Sequence, residues 1–132
     1  IADVLNAKIY QNPIKEIGWI PVKSSGQNDL FPTAFTPLHW HGDTFELPED
    51  AELLASSEDC INQAFLVKQK TLGLQFHLES TQETLKSIIE NCAEELNQEG
   101  NIMSEKKMLQ LSTQYIPASN QIMKSILDFL CN

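Results

Sequence analysis

The chain has 132 residues, of which 42% are hydrophobic, and this length is enough to bury one core. We therefore expect a single domain over residues 1–132. Eighteen acidic against nine basic side chains give a net charge of −9, which argues against a nucleic-acid partner because phosphate binding requires a basic surface. No apolar run approaches the roughly 18 residues that a membrane span needs, so we expect a soluble, cytoplasmic protein without membrane contact.

The first third of the chain predicts a helical start followed by strands. Ile1, Val4 and Leu5 have helical spacing, and because the first residue is not methionine we expect a fragment of a longer chain that begins within a helix. Residues 7–10 and 16–22 are predicted strands on either side of a turn at 11–13. The composition of residues 23–34, rich in serine, glycine, asparagine and proline, predicts a loop.

The rest of the chain divides into a β-rich middle and a mainly helical tail over 79–132. Short strands are predicted near 35–41, 44–47, 52–56, 61–69 and 72–78. Ser80 and Glu83 have the spacing of a capping box, which predicts a helix that continues to Gly100. A second helix is predicted to begin near Ser104, and a third is predicted to carry the apolar residues between Ile122 and Leu130.

His77 and Glu79 are the residues most typical of a catalytic site. Side chains at positions i and i+2 of a strand leave by the same face, so the carboxylate can orient the imidazole. Such a pair forms two-thirds of a nucleophilic triad and lacks only the nucleophile. Spacing alone leaves a structural role open, because a histidine at a strand end and an acid before a helix both occur without catalysis.

Three ordered segments resemble a known family. Residues 73–79 read Gly-Leu-Gln-Phe-His-Leu-Glu, similar to the Gly-Val-Gln-Phe-His-Pro-Glu signature of class I glutamine amidotransferases, with Leu78 in place of the proline. Residues 15–22 read Lys-Glu-Ile-Gly-Trp-Ile-Pro-Val, and residues 39–48 read His-Trp-His-Gly-Asp-Thr-Phe-Glu-Leu-Pro. Both resemble segments of the GMP synthase group of that family, and the two expected tail helices resemble the carboxyl extension of its stand-alone members.

The resemblance implies a fold and a site. It implies an α/β fold, the carboxyl-terminal two-thirds of a flavodoxin-like amidotransferase domain. His77 would act as base and acid, Glu79 would orient it, and the backbone around His41, Gly42 and Asp43 would hold the amino-acid end of glutamine. Neither a metal nor an organic cofactor is implied.

The same resemblance implies a substrate but leaves open which reaction the protein carries out with it. The substrate would be glutamine, and a synthetase partner would accept the ammonia. A γ-glutamyl hydrolase or peptidase of the same fold remains an alternative, as does a non-catalytic module that binds such a partner.

The sequence departs from the family pattern at the nucleophile. The family uses a Gly-x-Cys-x-Gly turn, and the sequence contains none. Cys60 follows Glu58 and Asp59, whose charges are expected to raise its pKa, Cys92 lies on an apolar helix stripe, and Cys131 is next to the last residue. The three widely spaced cysteines suggest neither disulfides nor a zinc site. By resemblance the cysteine precedes Ile1, so we expect the fragment to be inactive.

Two further expectations follow from the sequence. Loss of early strands would leave an open sheet edge, so we expect self-association of the fragment. Independently, His39 and His41 at i, i+2 could bind a transition metal together with Glu46, as in a cupin. The glycines and the later histidine motif of a cupin are missing, which leaves this as the weaker alternative.

Overall fold

The computed structural model describes residues 1–27 and 29–132. Its elements, in chain order, are β1 (Ile9–Trp19), β2 (Val22–Ser24), β3 (Ala34–Phe35), β4 (Leu38–Phe45), β5 (Ala51–Ser56), β6 (Ala64–Val67), β7 (Thr71–Leu74), α1 (Gln82–Asn91), β8 (Asn101–Ile102) and α2 (Glu105–Cys131). Short 3-10 turns cover Asp3–Leu5 and Ala93–Asn97. Within the described ranges, neither helix has the length and apolar character required to cross a membrane.

The strands form two sheets. In the three-stranded sheet, the order is β4-β1-β8, with β1 antiparallel to β4 and parallel to β8. In the five-stranded sheet, the order is β3-β2-β5-β6-β7, and all pairs are antiparallel. Together with the two helices they make the expected α/β architecture, a β-rich middle followed by helical structure.

The long helix α2 covers both sheets. Its first half packs with α1 against the three-stranded sheet, where Trp19 Nε1 donates to the Met108 carbonyl at 2.9 Å. Its second half buries Ile122 and Ile126 against the five-stranded sheet. Because one helix contributes to both cores, the two sheets are held in a fixed relation by apolar burial.

The strand expected at 7–10 and most of the strand expected at 16–22 form one strand, β1, so the predicted turn at 11–13 is wrong. Val22 instead begins β2 in the other sheet, and residues 23 and 24 of the expected loop belong to that strand. Pairing of β1 with β4 is interrupted between Gln11 and Glu16, where the register shifts. The side chain of Asn12 donates there to the carbonyls of Ile14, at 2.6 Å, and Asp59, at 2.9 Å. Pro13 lies inside this irregular stretch, where the missing N–H costs no ladder bond, so the chain continues as a bulged strand.

The strands expected at 35–41 and 44–47 also differ from the structure. Gly42 and Asp43 do not turn; they lie within β4, and Asp43 is opposite Gln11 of β1. The expected strands at 61–69 and 72–78 are shortened to β6 and β7, and the segment 75–78 that carries His77 lies outside the strand. Between them, Lys68 and Gln69 both have positive φ, 51° and 57°, and the Lys70 N–H donates to the Val67 carbonyl at 3.1 Å, which makes a tight turn of the type common in hairpins.

The first helix begins one residue later than the sequence predicts. Thr81, not Ser80, is the N-cap, and its capping box is completed by Thr84 rather than Glu83. Thr81 Oγ1 accepts from the Thr84 N–H at 3.1 Å, and Thr84 Oγ1 accepts from the Thr81 N–H at 2.8 Å. The helix ends at Asn91 instead of continuing to Gly100, and the chain proceeds as a 3-10 turn.

The two helices expected in the tail are one helix, α2. Ser104 is its N-cap as expected, but the helix runs through Pro117 without a break. A proline removes one helical hydrogen bond and costs about 3 kcal/mol, and the apolar contacts on both sides of it, from Ile116 to Ile122, offset this cost. At the other end of the chain, the expected helix is only the 3-10 turn Asp3–Leu5.

Candidate active site

His77 and Glu79 form a hydrogen-bonded pair. Nδ1 of His77 lies 2.8 Å from Oε1 of Glu79. Because an ionised carboxylate only accepts, Nδ1 carries the proton and Nε2 is left as an acceptor. The two side chains are 40% and 60% exposed, so the free nitrogen is accessible to a reactant.

The backbone that carries this pair is fixed on two sides. The His77 N–H donates to the Leu38 carbonyl at 2.8 Å, an isolated bridge to the start of β4. Phe76 and Leu78, on either side of the histidine, are buried in the core. Asn120 Nδ2 of α2 donates to the Leu78 carbonyl at 2.8 Å. The alternation of buried and exposed residues therefore turns both polar side chains outward together.

The electrostatics of the pair favour an ionised glutamate. Partial burial opposes the charge of Glu79, but the hydrogen bond from His77 and its positive potential lower the pKa below its usual value. A charged Glu79 holds the imidazole in the tautomer that exposes Nε2 and stabilises the imidazolium form.

A cleft of about 420 Å³ opens beside the pair. Its lining comprises Leu38, His77, Glu79, Ser80, Thr84, Ser87, Ile88, Asn91 and Cys92. Thr84, Ser87 and Asn91 come from α1 at i, i+3 and i+7, which places them on one helix face. This polar row was not predicted from the sequence, although its helical spacing beside the apolar stripe of α1 is visible there.

His41, Gly42 and Asp43 do not line that cleft. His41 Nδ1 donates to the Asp43 carbonyl at 3.1 Å, and Gln75 Nε2 donates to the same oxygen at 3.0 Å. At Gly42, an added Cβ would lie 3.1 Å from the Lys15 Cε. Residues 41–43 therefore lie on β4, the strand whose Leu38 carbonyl accepts from the His77 N–H, but they contact residues outside the cleft.

The three cysteines are free thiols in different surroundings. Burial raises the pKa of Cys60, with a further contribution from the charge of Glu16, rather than from its neighbours in sequence as we expected. Cys131 is exposed near the end of α2. Cys92 is the C-cap of α1 and lines the cleft, but a helix C-terminus favours cations over the thiolate that a nucleophile needs.

A second polar cluster is buried between β1 and β4. Oε2 of Glu16 lies 3.0 Å from His41 Nε2 and 3.7 Å from His39 Nδ1, and the two nitrogens are 3.4 Å apart. Ser57 donates to the other oxygen of Glu16 at 2.7 Å, and Gln63 Nε2 donates to Oε2 at 2.6 Å. This cluster is the one group of potential metal ligands found among the described residues.

The charges in this cluster are unequal. Burial lowers the pKa of His39 to about 3 despite the attraction of Glu16, so this histidine is neutral and its contact with the carboxylate is no ion pair. Burial opposes the charge of Glu16, yet the close contact with His41 and the hydrogen bond from Ser57 lower its pKa. The ligand set expected from the sequence is wrong in one member, because Glu46 is exposed and outside the cluster.

Comparisons with known proteins agree with these features. The family described as class-I glutamine amidotransferase matches residues 1–96. YfeJ of Salmonella typhimurium, described as glutamine amidotransferase-like, is 33% identical in an alignment of 102 positions that covers 73% of this chain and 43% of that protein.

Two solved structures add to this finding. A glutamine amidotransferase from Thermotoga maritima is 32% identical with a TM-score of 0.86, over 98% of this chain and 56% of that one. A protein from Thermoplasma acidophilum, described as a candidate component of GMP synthase, is 27% identical with a TM-score of 0.56, over 71% and 52% of the two chains. The chain thus spans about half the length of these relatives, and it belongs to the class-I glutamine amidotransferase family.

Proposed function

We propose that His77 and Glu79 serve a glutaminase reaction in which the side-chain amide of glutamine is hydrolysed to glutamate and ammonia. The observation that carries the proposal is the 2.8 Å hydrogen bond from His77 Nδ1 to Glu79, beside a cleft large enough for an amino acid. This arrangement leaves Nε2 free to exchange a proton with a nucleophile. Family membership excludes the cupin alternative.

The reaction needs one nucleophilic thiol. His77 Nε2 takes the proton of the thiol, and the thiolate forms a bond with the amide carbon of glutamine. As the carbon–nitrogen bond breaks, His77 returns the proton to the departing ammonia. Water, deprotonated by the same nitrogen, then attacks the thioester and releases glutamate and the thiol. Glu79 stabilises the imidazolium in both halves of the reaction, and no step uses a metal or organic cofactor.

The nucleophile of the triad lies outside the 132 residues in this proposal. Cys60 is 2% exposed, with its thiol 3.3 Å from Thr44 Oγ1, and Cys131 lies at the far end of α2. Cys92 faces the cleft but occupies the unfavourable end of its helix. Residues 1–132 alone are therefore expected to release no ammonia from glutamine.

The test compares the gene product that contains this chain with residues 1–132 alone. In the former, His77→Ala should reduce kcat by about 10²–10⁴-fold, the contribution of a positioned general base. Glu79→Gln should reduce kcat less, because the histidine remains. Glu83→Gln is the matched control: it removes an exposed acid from the first turn of α1 and should leave kcat unchanged.

Three results would each contradict one part of the glutaminase proposal. Glutamine hydrolysis by residues 1–132 that is lost in Cys92→Ser would place the nucleophile in this chain. A gene product that binds glutamine without releasing ammonia would favour the non-catalytic binding module. Activity with γ-glutamyl peptides but not with glutamine would favour the γ-glutamyl hydrolase of the same fold.

Two finer assignments belong to this proposal. We propose that the backbone of residues 41–43, which does not line the cleft beside His77 in this chain alone, holds the amino-acid end of the substrate. Gly42→Ala should therefore raise KM more than it lowers kcat, and the fold should tolerate it because the neighbouring Lys15 side chain can move aside. The ammonia passes to a synthetase partner in the cytoplasm. Support for this part comes from the description of the Thermoplasma relative, which names GMP synthase, and from the free thiols of this chain.

A further inference from the structure

We propose that Glu16, His39 and His41 form a binding site for a single divalent transition metal ion, best suited to Zn²⁺. Three ligand atoms converge there: Glu16 Oε2, His39 Nδ1 and His41 Nε2. Two imidazoles and one carboxylate are a common zinc ligand set with room for a fourth ligand. This site is separate from the cleft beside His77. Its test measures metal binding and not glutamine hydrolysis, although His41 also belongs to the backbone segment proposed to hold the substrate.

The spacing of the three atoms fits a tetrahedral ion. Zinc bonds of about 2.0–2.1 Å require ligand atoms roughly 3.3–3.4 Å apart, whereas octahedral geometry would require about 3.0 Å. The observed separations are 3.0, 3.4 and 3.7 Å. An ion can therefore contact all three atoms with only small adjustments of the side chains.

The hydrogen bonds around the cluster orient the ligands. His41 Nδ1 donates to the Asp43 carbonyl at 3.1 Å, because a carbonyl oxygen only accepts, and this bond directs the lone pair of Nε2 towards Glu16. Ser57 donates to the other carboxylate oxygen, Oε1, and Gln63 donates to the ligand oxygen Oε2 itself. Such outer hydrogen bonds fix ring orientation and ligand basicity in metal sites.

The cluster also needs a positive charge at its centre. With the lone pair of His41 Nε2 aimed at a carboxylate oxygen 3.0 Å away, two acceptors face each other. Either a metal ion or a proton must lie between them, the proton on His41 Nε2 or on His39 Nδ1, which is 3.4 Å from His41 Nε2. Both Glu16 and His39 are fully buried. A proton can bridge only two of the three ligand atoms, whereas a metal ion would contact all three, which favours the metal.

An ion can reach the cluster from the surface. The His41 side chain is 6% exposed, and Ser57, which donates to Glu16, also lines a surface cleft of about 530 Å³. Once bound, the ion would join β1 to β4 next to Leu38, the residue whose carbonyl holds the His77 backbone. A bound ion would thus stabilise β4, the strand whose Leu38 carbonyl accepts a hydrogen bond from the His77 backbone.

The test is a titration of chelator-treated residues 1–132 with Zn²⁺ in competition with a chromophoric chelator. A Cys92→Ser/Cys131→Ser background removes the two accessible thiols, which could bind zinc by themselves. We expect one ion per chain. Glu16→Gln should weaken its binding at least about 10²-fold, since loss of metal-site partners costs that much or more. Glu46→Gln, an exposed acid near the end of β4, is the matched control and should bind as the background does.

Cobalt gives an independent readout. Co²⁺ in the same background should produce the intense visible absorption of tetrahedral coordination, displaced by one equivalent of Zn²⁺. Zinc at 100 times its Kd should raise Tm by at least about 5 °C. Absence of one-to-one zinc binding by the folded background protein would overturn the proposal and leave a proton as the occupant. Equal loss of zinc binding in Glu16→Gln and Glu46→Gln would also overturn the proposal. If Glu16→Gln does not fold, the cobalt spectrum of the background protein tests the proposal instead, and the absence of tetrahedral absorption would overturn it.

Discussion

The side chain of Asn120, in the middle of α2, is hydrogen-bonded to the backbone of Leu78, between the two residues of the candidate catalytic pair. Nδ2 of Asn120 donates to the Leu78 carbonyl at 2.8 Å and to the Ser80 carbonyl at 3.1 Å. The tail helix therefore holds the segment that presents His77 and Glu79.

Replacement of Asn120 should destabilise the fold. Asn120→Ala leaves the carbonyls of two buried residues, Leu78 and Ser80, without this donor. The expected loss is about 1–3 kcal/mol in the free energy of unfolding, measured by urea denaturation. Asn91→Ala is the control, because its amide bonds only within its own exposed helix turn. Equal effects of the two variants would show that the contact to residues 78–80 contributes nothing.

The stability of the protein should fall below pH 6.5 because of His39. Its pKa is lowered from 6.5 to about 3 by burial, so between these values the unfolded chain binds one more proton than the folded chain. Stability therefore rises with pH across this window and decreases by up to about 1.4 kcal/mol for each pH unit below 6.5.

The measurement is urea unfolding at pH 7.0 and pH 5.0 in a buffer with chelator. His39→Gln should reduce the difference in unfolding free energy between the two pH values by about 2 kcal/mol. His77→Gln, which removes a partly exposed histidine, is the comparison variant. An unchanged pH dependence in His39→Gln would show that this histidine is protonated in the folded protein.

The three thiols should react with iodoacetamide in the order Cys131, Cys92, Cys60. Cys131 is exposed and Cys92 half-buried, whereas Cys60 is 2% exposed. Burial raises the pKa of Cys60, so less of it is thiolate at a given pH. Mass spectrometry at pH 8 should find Cys60 unmodified until urea unfolds the chain. Modification of Cys60 at the rate of Cys131 in native conditions would contradict the buried position.

Self-association of residues 1–132 remains our prediction. Apolar side chains are exposed at the start of the chain and along β1: Ile1 (61%), Val4 (83%), Ile9 (45%) and Ile14 (38%). Contact between copies would bury this surface. Light scattering at micromolar concentration should report a mass above that of one chain, and Val4→Lys should lower it. Ile61→Lys, at a 72% exposed position in another loop, is the control, and a monodisperse monomer would refute the prediction.

The sequence was sufficient to predict those features of the structure that depend on residues close together in the chain. His77 and Glu79 are two positions apart, so an extended backbone predicts that their side chains can meet. They do meet, although the strand expected to carry His77 ends at Leu74 and His77 makes only an isolated bridge. The first helix was recognisable from its apolar period, and Ser104 from its capping character, because both signals lie within a few residues. The ordered motifs also identified the family, since their spacing along the chain is preserved whatever the details of packing.

Tertiary structure decided the features that depend on distant contacts. Glu16 is 23 residues from His39, and only the pairing of β1 with β4 brings their side chains together. The continuity of α2 through Pro117 depends on two separate apolar cores, whose burial outweighs a local preference for a break. The position of Cys92 beside the candidate catalytic pair likewise follows from how α1 packs. Local periodicity carries no information about which surfaces meet, because burial and electrostatic pairing are properties of the assembled chain.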